Sequence, residues 1–205
     1  MRSRFFSLAF GAALAVVFAM PAPAQETGRE WVHPPRTLPK GGHGHGAVDL
    51  NTLFDALKIA PDAASAKAIE ERIWAAWAVS GSDTCNLLMT RVKVAAEEKE
   101  YDLAIKLLNA IVAIKPNYIE AYNERATIFF LKDDIAHALA DLRQVLKREP
   151  RHFGALAGLG LILQELGDDR HALEAYRRAL AIDPHLAHVG DVVKELTVKV
   201  EGRDI

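Results

Sequence analysis

From Leu50 onward, apolar residues recur at spacings of three and four, the period of amphipathic helices packed on one side. Leu53, Phe54 and Leu57 mark the first helix, within Leu50 to Ile59. Pro61-Asp62 opens a second, which carries Ile69, Ile73 and Trp77 with Trp74 beside them and runs to about Ser80, before Gly81. At the far end Leu186, Val189, Val193, Leu196 and Val200 share a stripe, backed by Asp191, Lys194, Glu195 and Lys199. Ahead of the helices, Gln25 to Val48 has no apolar period. It carries Pro34, Pro35, Pro39, Gly41, Gly42, Gly44 and Gly46, and reads as a tether that cannot bury enough surface to offset its ordering entropy. Phe5 to Met20 is nearly all apolar, but shorter than the roughly 20 residues of a membrane span.

Between the two flanks the pattern repeats with a fixed period. Pro116, Pro150 and Pro184 lie 34 residues apart. The same interval relates Ala104, Ala138 and Ala172; Leu108, Leu142 and Tyr176; Leu88, Tyr122 and Leu156; and Ala95, Phe129 and Leu163. A turn signal recurs in Lys99-Glu100, Asp133-Asp134 and Gly167-Asp168. Small residues at fixed columns let two helices approach, large ones fill the space between them, and each proline ends the second helix of its unit.

These columns resemble the tetratricopeptide repeat family, whose 34-residue unit is a helix pair with a large residue, a Leu-Gly pair, an aromatic, an alanine, a second aromatic and a proline at set offsets. The expected fold is all-α: a short right-handed superhelical stack of antiparallel helix pairs with capping helices. The expected organisation is a signal peptide over 1–24, a linker over 25–48 and a degenerate helical hairpin over 49–84 acting as an N-terminal cap. Repeats follow at 85–118, 119–152 and 153–186, and a capping helix and tail at 187–205. The third unit fits best, with Leu156, Leu159-Gly160, Leu163, Gly167, Ala172, Tyr176, Ala179 and Pro184; the first is loosest, with Val92 and Ile111 at columns that are usually small. Arg91 and Arg125 stand where Leu159 sits in the third unit. A buried arginine needs a partner, and the spacing pairs Arg125 with Asp141 on the second helix of its repeat. Leu107 holds the matching place for Arg91, which therefore reaches solvent or a neighbour.

The resemblance implies a concave groove lined by the first helix of each unit and used to hold a peptide or partner segment. Carried over by offset, the lining is Asn86, Met89, Lys93 and Ala96, then Glu120, Asn123, Thr127 and Phe130, then Ala157, Leu161 and Gln164. Asparagine amides can hold an extended backbone, and Met89, Phe130 and Leu161 can receive an apolar side chain. Some members clamp a terminal carboxylate with basic and amide groups. Met89 and Glu124 occupy such places here, so recognition of a chaperone tail is not expected.

Composition narrows the function further. The formal net charge is -2 over 205 residues, and two units lower without Arg2 and Arg4. A mildly acidic body is a poor nucleic-acid binder. Arg2, Arg4, the apolar run and Ala22-Pro23-Ala24 make a secretory leader cut after Ala24, which places the mature chain in the periplasm with no stable membrane insertion. Cys85 is a single thiol and reads as a small apolar filler. No cofactor is required, and no catalytic motif stands out. Gly154, Gly158 and Gly160 have the wrong spacing for a phosphate loop and read as helix-contact glycines. His152, His171, His185 and His188 read as surface residues near the repeat turns. The function expected is a non-enzymatic adaptor with an open concave face. The alternative is weak metal handling by His43 and His45 with His33, on a tether that lacks visible second-shell support. Trp31, the one large apolar residue of the tether, either docks on the helical body or serves as a recognition element.

Overall fold

The computed structural model describes residues 31–35, 49–186 and 188–202. The segment read as a leader, and His43 and His45, lie outside the described residues. Within them the chain is all-helical: α1 (Leu50–Lys58), α2 (Ala63–Trp77), α3 (Asp83–Glu97), α4 (Tyr101–Ile114), α5 (Ile119–Leu131), α6 (Ile135–Arg148), α7 (Phe153–Glu165), α8 (Asp169–Ile182) and α9 (Val189–Glu201). The pairs α3/α4, α5/α6 and α7/α8 are the three repeats. Each helix packs chiefly on its neighbours in sequence, and α9 continues the stack on α8. None of the described helices is long and apolar enough to cross a membrane.

The repeat period has a concrete local cause. Lys99, Asp133 and Gly167 all take a left-handed backbone conformation, at φ of 59°, 60° and 79°. In each unit the amide of the next residue bonds back five residues: Glu100 to Ala95, Asp134 to Phe129 and Asp168 to Leu163, at 2.7–2.9 Å. The left-handed residue's own amide reaches back three, to Ala96, Phe130 and Gln164. This is a Schellman stop, repeated three times. Asp134 and Asp168 then cap the second helix, accepting from the amides of His137 and His171.

The alanine column is buried in every repeat. Ala104, Ala138 and Ala172 have no exposed surface, and each shares a core cluster with the large residue four positions on, Leu108, Leu142 or Tyr176. Cys85 is fully buried as a free thiol. Arg125 meets Asp141 in a bidentate pair, Nε to Oδ2 and Nη2 to Oδ1, both at 2.7 Å. Its third donor reaches Asn109 Oδ1 on the first repeat, so the group ties two repeats together. Arg91 is exposed.

The hairpin α1–α2 departs from the expectation of an N-terminal cap. It does not precede the first repeat as a further stacked unit. It lies along the edge formed by the three loops that join one unit to the next. Ala60 is at the third loop, where its carbonyl is 3.0 Å from His185 Nε2. Asn51 and Phe54 meet Arg151 of the second loop, the guanidinium lying 4.1 Å from the Phe54 ring centre. Ala78 is at the first loop, where its carbonyl accepts from the Tyr118 hydroxyl at 2.9 Å. The physical reason lies in the apolar load of the hairpin. Leu53, Phe54, Leu57, Ile73, Trp74 and Trp77 form one core with Phe153, Leu156, Tyr176 and Leu196, so they cover the repeat that holds the most apolar helix, α7, rather than the first. Trp74 and Trp77 are packing residues, 2% and 4% exposed.

Candidate functional site: a concave face half covered by its own chain

The first helices α3, α5 and α7 line the concave face, and the two halves of it differ. On α3, Asn86 and Lys93 are exposed, Ala96 is half-buried and Met89 is buried. On α5 and α7, Glu120, Asn123, Thr127, Ala157 and Leu161 are all buried, and Phe130 and Gln164 are half-buried. An open face along its whole length was expected; the structure closes its second and third repeats.

Two aromatic side chains from outside the repeats do the closing. Trp31, only 6% exposed, packs 5.3 Å from the Phe130 ring and lies flat against Gly158. A Cβ at Gly158 would fall 2.6 Å from the indole Cζ2. Trp74 does the same one turn earlier, 2.7 Å from where a Gly154 Cβ would stand, with the Val32 carbonyl also close. Gly154 therefore makes room for an indole of α2, as a helix-contact glycine does, and Gly160 likewise faces Tyr176 of α8; Gly158 instead makes room for Trp31, outside the helices, which corrects its reading as a helix-contact glycine. The spacing of four puts Gly154 and Gly158 on one face of α7. From Trp31 the chain runs across the groove towards α3, so that Pro34 reaches the first repeat. Residues 31–35 form a strap over the concave face. Of the two readings open for Trp31, the structure gives docking.

A cleft of about 200 Å3 stays open beyond Pro34, lined by Trp74, Asn86, Met89, Lys93, Tyr118 and Glu124 among others. Its charge is mixed. Burial, then the nearby Glu120, pushes the Glu124 carboxyl up to about 7, against the attraction of Lys93. Glu120 is itself committed: its Oε1 lies 2.8 Å from His152 Nε2 and its Oε2 3.4 Å from Asn123 Nδ2.

His152 is no surface residue. It is fully buried and stacked on Trp77, with rings 4.1 Å apart and 6° from parallel. Its Nδ1 accepts from the Ala155 amide at 3.0 Å and caps α7, so the neutral ring carries its proton on Nε2 and donates to Glu120. His185 also leaves the surface class through its contact with Ala60. His171 and His188 are exposed. Midway along α2, Glu70 faces Asp183, which is fully buried. Burial, then the nearby Asp183 charge, pushes the Glu70 carboxyl up to about 7. Asn123 Oδ1 and the Trp31 Nε1 are buried without a hydrogen-bond partner among the described residues. No group of three or more histidine, cysteine or acidic side chains is placed to hold a metal ion among those residues.

Docking of Trp31 was one of two readings open from the sequence, whereas Gly154, Gly158 and His152 were not expected to take part in this face. One signal was available for His152: it stands 34 residues from Tyr118 and from Leu186, and all three are buried.

Known proteins agree with this architecture. The tetratricopeptide repeat model matches residues 123–187. A TPR repeat-containing protein of Rhizobium etli is 39% identical over 153 residues, spanning 75% of each chain. Bacteriophage adsorption protein A of Escherichia coli is 35% identical over 88 residues, 42% of this chain and 9% of that protein. Among solved structures, the first TPR domain of Spaghetti (RPAP3) bound to the HSP90 peptide SRMEEVD matches at a TM-score of 0.55 and 18% identity, over 58% of this chain and 95% of that domain. A crystal structure of MamA matches at 0.54 and 20%, over 75% and 81%. With its 34-residue frame, its repeated Schellman stops and a relative this similar over three quarters of each chain, the protein belongs to the tetratricopeptide repeat family.

Proposed function

We propose that this protein is an exported adaptor of the bacterial envelope, which binds an extended segment of a partner protein along its concave face and performs no catalysis. The observation that carries this reading is the strap. The face receives a non-helical stretch of polypeptide and buries a whole indole between α5 and α7. Beside it the cleft of Asn86, Met89, Lys93 and Glu124 offers amide, cationic, acidic and apolar contacts to a longer segment. The peptide-bound first TPR domain of Spaghetti (RPAP3) supports the same use of the fold. Export rests on the leader-like residues 1–24, and the periplasm is the compartment proposed.

The test is crosslinked capture from periplasmic extract with the mature chain as bait. It runs beside a variant carrying Asn86→Asp and Lys93→Glu, both on exposed positions whose change leaves the helices intact. A partner held by the wild type and lost by the variant supports the groove. Equal recovery by both baits contradicts it. Cell fractionation and N-terminal sequencing test export separately: the expected product is soluble and begins at Gln25.

A further inference from the structure

We propose that Trp31–Pro35 is an internal copy of the ligand: the partner presents an aromatic side chain followed three residues later by proline, and binds by displacing the strap. This rests on the reading of the concave face as the binding site, and adds the chemistry of what binds there and what keeps it closed.

Four observations converge. First, the indole seat is built for its occupant. Gly158 faces the ring so closely that any side chain there would strike it. A glycine inside a helix is unfavourable unless the missing side chain serves something. Second, the strap carries adjacent prolines. Pro34 and Pro35 each have φ fixed by the ring, which lowers the entropy lost on binding. Third, the strap leaves hydrogen-bonding capacity unused. Asn123 Oδ1 and Trp31 Nε1 are both buried and unpaired among the described residues, so a partner that satisfies Asn123 gains what the strap forgoes. Fourth, the strap is tied to α1 by residues 36–48, rich in glycine. Such a tether holds a weak ligand at an effective concentration of about millimolar. The fold therefore carries a built-in competitor that screens out weak binders and yields to a better one.

The direct test uses a labelled peptide of this chain's own sequence, from Arg29 to Arg36, titrated by fluorescence anisotropy into full-length mature protein. The expected result is at least about tenfold tighter binding to the Trp31→Gly variant than to the wild type, because the internal competitor has lost its anchor. The same peptide with glycine in place of tryptophan binds neither. Adding Gly158→Leu to the Trp31→Gly variant fills the seat and abolishes binding while helical content is retained. A second variant, with Trp31-Val32-His33 replaced by Gly-Ser-Gly, repeats the measurement without relying on one substitution. Equal affinity for wild type and both variants, or no binding to variants that melt like the wild type, overturns the proposal. The groove reading has a separate fate: if a partner is captured through Asn86 and Lys93 while the peptide binds nothing, the strap is only a filler and the groove still stands.

Discussion

The first and third repeats share a frame and differ in almost everything the frame leaves free. On α3 the concave side carries Asn86 and Lys93 and remains in solvent. On α7, Phe153 to Gly158 are all buried, because α8, the hairpin and the strap surround the helix. A helix that is apolar all round needs neighbours on every side. In a repeat array of this length the stack supplies only some of them, so the N-terminal residues fold back to supply the rest. The comparison teaches that the concave face has two halves, one filled by a resident aromatic side chain and one left exposed.

The largest expected effect breaks the closed half. Trp74→Ala removes an indole that fits against Gly154, stacks edge-on to Trp77, His152 and Phe153, and is 2% exposed. It should cost about 3–5 kcal/mol in urea or thermal unfolding. Lys93→Ala, in the open half, should stay within about 0.5 kcal/mol. Similar costs for the two would erase the distinction.

Next in size is the link between the first and second repeats. Arg125→Ala strands the buried Asp141 and releases Asn109. A loss of about 2–4 kcal/mol is expected at neutral pH. Restoring stability by adding Asp141→Leu would identify the stranded carboxylate as the cause.

Two carboxyls are displaced, one on the hairpin and one in the open cleft, and substitution separates them. Glu70 and Glu124 are both raised from 4.5 to about 7, chiefly by burial. A raised carboxyl binds its proton more tightly in the folded state. Its contribution is therefore complete below about pH 4.5 and lost as pH rises through about 7. The urea midpoint should fall between pH 5 and pH 8. Glu70→Gln should flatten that fall through the hairpin's seat on Asp183, and Glu124→Gln through the open cleft. A profile unchanged by either substitution would remove these groups from the account.

The smallest effect sharpens the repeat comparison itself. Gly167 takes its left-handed conformation freely, whereas Asp133 pays a steric cost at the equivalent place. Asp133→Gly should gain about 0.5–1 kcal/mol, less the extra entropy of a glycine chain, and Gly167→Ala should lose about as much. Both are readable in thermal melts.

These contrasts also explain how far the sequence could be read. The helix pairs were legible because Ala104, Ala138 and Ala172 obey one steric rule three times, and the same holds for the proline and turn columns. The Arg125–Asp141 contact followed from an offset within one pair. What lay outside the period was harder. Trp74 and Trp77 show that the hairpin buries a face, but periodicity does not say against which repeat. Gly154 and Gly158 occupy one side of α7, and only their contacts reveal that indoles from α2 and the tether fill the space. Trp31 belongs to a stretch without apolar period, so its seat depends on a surface assembled from α5 and α7, far away in sequence.

The central claim is that Trp31 keeps one half of the concave face closed. The chain has three tryptophans, so 19F NMR of fluorotryptophan-labelled protein gives three signals, assignable by single Trp→Phe changes. In the wild type the Trp31 signal is expected to be insensitive to solvent exchange into D2O and to become sensitive in Gly158→Leu, while those of Trp74 and Trp77 stay shielded. A Trp31 signal already solvent-exposed in the wild type would contradict the claim.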